Sequence, residues 1–409
     1  MSTDIHPAPD SRFQGQRWHD LDAVRAFALL SGVALHGVMS FMQPRVWIVG
    51  DSHTSTGADV LFYVIHIFRM TLFFVLAGFF ARAMMQKKGV AGFVGNRLKR
   101  IALPLVIFWP LVLAAILAVL IVANAPAPGA PAAPPTPPPA FSAATFPLTH
   151  LWFLYVLLIL YAGTVVIKLV TDLLHIGGPL GRMLDAVVGG LTRWDLITAV
   201  LAAPVAVVFI LNKAWLMWFG IATPDIGLMP NTMALAGFIT AFVFGWWLHR
   251  RSDLLEHLGR RFWLYGFTAV CGVWWCLATV GKAPVLTPVD GHDHILYAVI
   301  YPLTTWSGVF CLIGLAHRVL QKENPVIRRL SDASYWIYII HLPVLLVIQW
   351  LVMKLDIDPV WKFSAVLFGT IGVGLLSYQF MVRYTFIGTI LNGRKRKARV
   401  AAYIEEATA

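Results

Sequence analysis

Ten apolar runs divide the chain, at about 21–43, 58–84, 101–124, 150–174, 194–212, 231–249, 262–280, 295–320, 332–353 and 361–387. Each is close to the ~20 residues an α-helix needs to cross a bilayer. Inside lipid, backbone groups must be satisfied within their own segment, so every run is predicted to be helical. The pattern predicts an all-α integral membrane protein, a bundle of about ten transmembrane helices over 21–387. A cytoplasmic N-terminal segment, 1–20, precedes the bundle, and a basic cytoplasmic tail, 388–409, follows it. Between the third and fourth runs, loop 125–149 carries the uncharged Pro126–Pro139 stretch, which reads as an extended polyproline-like spacer on the outer face. No sequence repeat relates the two halves, which disfavours an inverted-repeat transporter.

Composition supports this reading. Hydrophobic residues make up 58% and charged residues 13%, where a soluble domain carries about 25% charged. A net charge of +12 would suggest nucleic acid in a soluble protein, but its placement points elsewhere. Of the 32 Lys and Arg residues, 23 fall in the N-terminus, the even-numbered loops and the C-terminus, and only five in the odd-numbered loops. That asymmetry predicts cytoplasmic termini and an even number of spans in a bacterial inner membrane. The basic run Arg394–Arg399 reads as a topogenic, headgroup-binding anchor. Cys271, Cys276 and Cys311 all lie in apolar runs and read as free thiols used as small hydrophobes. His292 and His294 form the one metal-like cluster, in an outer loop, and read as adventitious or capping residues. No metal site is expected.

The polar residues inside the runs carry the chemistry. Arg25 and His36 are eleven positions apart, three helical turns plus roughly 20° and about 16 Å of rise. They share one helix face at two depths. A charge in the membrane costs about 2.5–3.5 kcal/mol, so it is expected to have a role. Asp22 lies one turn before Arg25 and is placed to pair with it. In the second run, His66 and Arg69 share a face. In the ninth, Ser334, Tyr338 and His341 are spaced i, i+4, i+7, with Pro343 expected to kink the helix beside them. At the cytoplasmic end of the third run, Arg97 and Arg100 lie one turn apart. Paired guanidinium groups suit a phosphate-bearing ligand.

These segments together resemble the membrane-integral acyltransferase-3 family. The resemblance rests on arginine, ten residues, histidine in the first run (Arg25 to His36) and the Arg-x-x-Arg of Arg97–Arg100. Further matching strings are Asp22–Arg25, Ile65–Met70, Phe73–Gly78, His150–Leu154 and Ala333–His341, which resemble the glucans biosynthesis protein C group within that family. The resemblance implies a membrane O-acyltransferase. Its donor would be a cytoplasmic acyl-CoA, succinyl-CoA for that group, used as a substrate with no permanently bound cofactor. Its acceptor would be a hydroxyl of a periplasmic glucan or other extracytoplasmic glycan. On that reading His36 is the general base, with Arg25, Arg69 and Asp22 completing the catalytic set. Arg69 would steady the oxyanion or hold the free carboxylate of a dicarboxylic acyl group. His66, His150, Trp152, Ser334, Tyr338 and His341 would line the substrate site, and Arg97 and Arg100 would hold the donor's phosphates. The expected partners are acyl-CoA, the glycan and the bilayer, with no nucleic acid. Direct transfer and an acyl-enzyme relay both stay open. So do two other functions: a proton-coupled secondary transporter using the histidines, and a same-family enzyme acting on a lipid or small molecule.

Overall fold

The computed structural model describes residues 18–123, 125, 141–288 and 291–393. The Pro126–Pro139 stretch, Arg394–Arg399 and residues 1–17 lie outside the described residues. Twelve helices are described: α1 His19–Val38, α2 Thr56–Arg97, α3 Leu103–Ala123, α4 Trp152–Leu173, α5 Gly177–Arg193 and α6 Ile197–Leu211, then α7 Thr232–Arg250, α8 Asp253–Val280, α9 His292–Val319, α10 Pro325–Val352, α11 Pro359–Ser377 and α12 Phe386–Leu391. No strand is described; one isolated bridge joins Pro147 to Ile226.

Among the described residues, eight helical segments are long and apolar enough to cross a membrane, nine when the bent pair α5–α6 is taken as one span. The segment Thr56–Ala123 is 68 residues long. At 1.5 Å per residue it would exceed 100 Å, more than three times the ~30 Å hydrocarbon thickness. It breaks at Gly89, whose φ of 67° is open to glycine and costly for other residues. The second and third apolar runs therefore lie on either side of that break, and the ten runs of the sequence all fall on helices. A second irregularity, the π-helical turn Leu98–Ala102, joins α2 to α3 inside the Arg-x-x-Arg motif.

The outward faces invert the logic of a soluble protein. On α8, Trp263, Phe267, Val270 and Trp274 are exposed at i, i+4, i+7, i+11 spacing, a lipid-facing stripe. The inward faces pack through small residues, because apolar side chains gain little by leaving lipid for protein and close van der Waals contact must do more. At the α2–α7 contact, a Cβ on Gly78 would lie 2.0 Å from the Phe242 carbonyl oxygen, and one on Gly245 would lie 1.9 Å from that of Val75. The two backbones touch where the glycines leave room.

The apolar pattern leaves 175–193 as a loop between runs, yet most of it is α5. Its exposed apolar positions Leu180, Met183 and Val187 lie on one face, a stripe too short to register as a spanning run. α5 meets α6 at 103° and is clamped by α7, where Arg250 Nε lies 2.7 Å from the Asp185 carboxylate and Arg251 donates to the Asp185 carbonyl at 3.0 Å. His294 is turned inward, its Nε2 2.9 Å from the Phe209 carbonyl. The three cysteines are free.

Candidate active site

Helix α10 runs through the site like a ruler, and the polar residues of the other helices meet it at successive depths. Near its start, Ser331 accepts from Arg25 Nη2 at 2.5 Å and donates to Asp22 at 3.3 Å, while Arg25 pairs with Asp22 at 2.9 Å. The Arg25 guanidinium also sits over the Phe80 ring at 5.8 Å. One turn on, Tyr335 donates to the Arg100 carbonyl at 2.6 Å. Further along are Tyr338 and His341, and near the far end Gln349. Arg25 meets Ser331 and His36 meets His341, so α1 and α10 run parallel.

The middle of the ruler holds three histidines. The His36 and His341 rings are 5.4 Å apart, and those of His150 and His341 are 4.8 Å apart and nearly perpendicular. Pro343 explains how they are held. Lacking an N–H, it leaves the Ile339 carbonyl without its helical partner. His150 Nε2 fills that place, 3.1 Å from both the Ile339 and Tyr338 carbonyls, and His341 Nδ1 lies 2.7 Å from the Tyr338 carbonyl. Carbonyls only accept, so these ring nitrogens carry protons, and in the neutral imidazole His341 Nε2 and His150 Nδ1 are the lone pairs. The hydroxyl of Tyr338 donates to the His150 carbonyl at 2.6 Å. Thr149, just before His150, holds a φ of 55°, a left-handed conformation costly for a β-branched residue. That strain aims His150 at α10.

His36 is held differently. Its ring stacks on Trp47 at 5.4 Å, its backbone carbonyl accepts from Gln349 at 3.1 Å, and its Nδ1 is buried without a hydrogen-bond partner. Arg69 reaches it from α2. A Cβ on Gly32 would lie 2.7 Å from Arg69 Nη1, so the guanidinium rests on α1 one turn below His36, and its buried Nε is likewise unpartnered. Arg69, His341, His150 and His66 all lie within electrostatic reach of His36.

The other expected site residues fall outside this cluster or take part in it indirectly. His66 lies beside the backbones of Phe219 and Ile221 and stacks on Phe62 at 5.2 Å. It also borders a cavity of about 10 Å³, room for one water. Trp152 packs on Phe238 at 5.5 Å and Phe74 at 6.3 Å, in the apolar core. Ser334 donates to the carbonyl of Ser331 at 2.8 Å, within its own helix. Arg25 is three turns from His36 and is neutralised by Asp22, so it does not touch the histidines. Arg97 lies between the Phe93 and Tyr161 rings at 5.1 and 4.7 Å, with its Nε buried and unpartnered. Arg100 is within electrostatic reach of Arg97. Tyr335, bonded to Arg100, lies six residues before His341 on α10, about 9 Å along the axis.

A family model described as an acyltransferase domain matches residues 18–379. The chain belongs to the acyltransferase-3 family. It is therefore a multi-pass membrane protein of that family. Among curated proteins, it is similar to the glucans biosynthesis protein C of Escherichia coli strains SMS-3-5 / SECEC and K12, at 26% identity over 159 residues. The match covers 38% of this chain and 39% of each relative's length. No solved structure matches the chain. In this chain the site also takes in Gly32, Ser331, Tyr335, Trp47 and Gln349, none of which is a candidate from the sequence alone. Gln349 had a usable signal, as an amide inside an apolar run. Trp47 had none, because a loop tryptophan acquires meaning only from what it covers.

Proposed function

We propose that the chain transfers a succinyl group from succinyl-CoA to a hydroxyl of a periplasmic glucan across the bacterial inner membrane. The observation that carries the reading is the unpartnered His36 Nδ1, grouped with His150, His341 and the unpartnered Arg69 Nε. A buried ring nitrogen without a hydrogen-bond partner is costly in a packed interior, so its persistence calls for a functional explanation. The acceptor hydroxyl would lose its proton to His36 as its oxygen attacks the thioester carbonyl. Arg69 would stabilise the resulting oxyanion. Collapse would break the C–S bond, and the thiolate would take up the proton from His36 to leave as the free thiol. Arg97 and Arg100 would hold the donor's phosphates on the cytoplasmic side, with the thioester reaching along α10 toward His341. The acceptor class is suggested by the printed name of the relatives, glucans biosynthesis protein C.

Mass spectrometry of periplasmic glucans from cells with and without the protein tests the reading. A mass increment equal to one succinyl group, present only with the protein, is expected. His36→Ala should remove it while the variant still inserts at normal yield. General base catalysis is worth roughly 10²–10⁴-fold, so turnover should fall by at least ~10². Undiminished turnover in the purified variant would remove His36 from the mechanism.

A further inference from the structure

We propose, resting on the glucan reading above, that the indole of Trp47 is the platform on which a neutral sugar ring of the acceptor stacks beside His36. Trp47 belongs to the α1–α2 connection, residues 42–55, which roofs the far end of α1. Its ring lies nearly parallel to the His36 imidazole, at 5.4 Å and 19°. Its Nε1–H is spent, donating to Gln349 Oε1 at 2.9 Å. The Gln349 amide nitrogen donates to the carbonyls of His36 and Gly37 at 3.1 and 3.3 Å, and Gln349 is 0% exposed. One buried amide therefore sets both the indole and the backbone of the candidate base, so the two keep a common frame.

What the indole can still offer a ligand is ring surface, since its hydrogen bond is used and Trp47 remains partly accessible. The indole face turned away from His36 complements the apolar C–H face of a pyranose, and the sugar hydroxyls that overhang the indole edge are the ones that come nearest the imidazole. The loop's exposed rim also suits a neutral polyhydroxyl ligand. Gln43, Ser52 and Thr54 are uncharged hydrogen-bonding groups on that rim. The Asp51 carboxylate is buried against Lys362 at 2.6 Å, and Arg45 is turned back onto the Asp51 carbonyl at 3.0 Å. The platform is braced as well, because Asp51 N donates to the Ser40 carbonyl and Ser55 N to the Phe41 carbonyl, each at 2.8 Å.

The test uses the full chain purified in detergent and a β-linked glucose oligosaccharide. Its binding is measured calorimetrically without donor, and KM values for oligosaccharide and for acyl-CoA are measured separately. Loss of an aromatic stacking surface corresponds to roughly fivefold to tenfold in affinity. Trp47→Ala should weaken oligosaccharide binding and raise its KM by about that factor, with the acyl-CoA KM unchanged. Trp47→Phe, which keeps a ring, should lose less. Trp47→Leu fills the space over His36 without a ring face and serves if the alanine variant does not fold. A lower kcat with unchanged oligosaccharide binding would overturn the proposal and reduce Trp47 to packing for His36. Tighter oligosaccharide binding in Trp47→Ala would overturn it too, making Trp47 a cover over the site. If the wild-type chain neither binds nor acylates the oligosaccharide, the glucan reading fails and the platform falls with it. If the wild type acylates it and Trp47→Ala does so with identical constants, only the platform fails.

Discussion

Single atoms decide most of what this site can do. Pro343 lacks one hydrogen, and the carbonyl it frees becomes an anchor for His150 from another helix. Gly32 lacks one carbon, and the space holds the Arg69 guanidinium against α1. The second case gives a sharp test. Gly32→Ala puts a Cβ 2.7 Å from Arg69 Nη1, the far end of a flexible side chain. The chain accommodates this cheaply, and alanine is favoured over glycine in a helix by about 1 kcal/mol. The guanidinium, however, is displaced. Thermal unfolding of Gly32→Ala in detergent should show an unchanged or slightly raised Tm. Acyl transfer should fall on the order of 10²-fold, as expected for a misplaced catalytic group. A fall in Tm matching the loss of activity would mean that Gly32 matters for packing alone.

At the scale of elements, the α1–α2 connection is held by an ion pair deeper than most. The side chains of Asp51 and Lys362 are 0% and 1% exposed, and they join the loop to the start of α11. Burial raises the Asp51 carboxyl, but the hydrogen bond from Lys362 and the His53 backbone N–H outweigh it and hold the carboxyl below its ordinary value. A carboxyl lowered in the folded state contributes stability above its unfolded pKa and loses it as pH falls through the folded one. The contribution is thus complete at neutral pH and fades below about pH 4. Hydrogen exchange over 42–55 should accelerate in that acidic range while the middle of α10 stays protected. Asp51→Asn should reproduce the loosening at neutral pH, because it strands the Lys362 ammonium, at a cost of about 3–5 kcal/mol. Exchange in the variant as slow as in the wild type would show that the bond matters little to the loop.

For the whole molecule, orientation decides which substrate meets which mouth. Arg97 and Arg100 lie at the end of the bundle where α1 begins, and Trp47 and Gln349 lie at the other. The distribution of Lys and Arg predicts that the first end is cytoplasmic. Cysteines introduced within 126–139 should therefore be labelled in intact cells by a membrane-impermeant reagent, and cysteines introduced at 394–399 should not. The opposite pattern would place the Arg97–Arg100 mouth outside and remove it as a site for a cytoplasmic donor.

The sequence by itself determined the helices and the chemistry available to them. Apolar length specified the spans because lipid leaves backbone groups no other partner. The 3.6-residue period put Asp22 beside Arg25, and Arg25 on the face of His36. Rare polar residues in apolar runs stand out because their burial is expensive, which is why His36, Arg69 and His341 are legible, whereas His150 enters only through the family resemblance. Only the tertiary structure decided which of them meet. Depth along one helix does not specify the register of its neighbours, so the sequence could not separate Arg25, neutralised by Asp22 at the start of α10, from Arg69, which approaches His36. Nor could it assign Trp152 to the apolar core or place His66 beside the Phe219 and Ile221 backbones. Gly32, Trp47 and Gln349 are ordinary residues in one dimension. Their roles arise from close approach between segments far apart in the chain, and that approach is a property of packing alone.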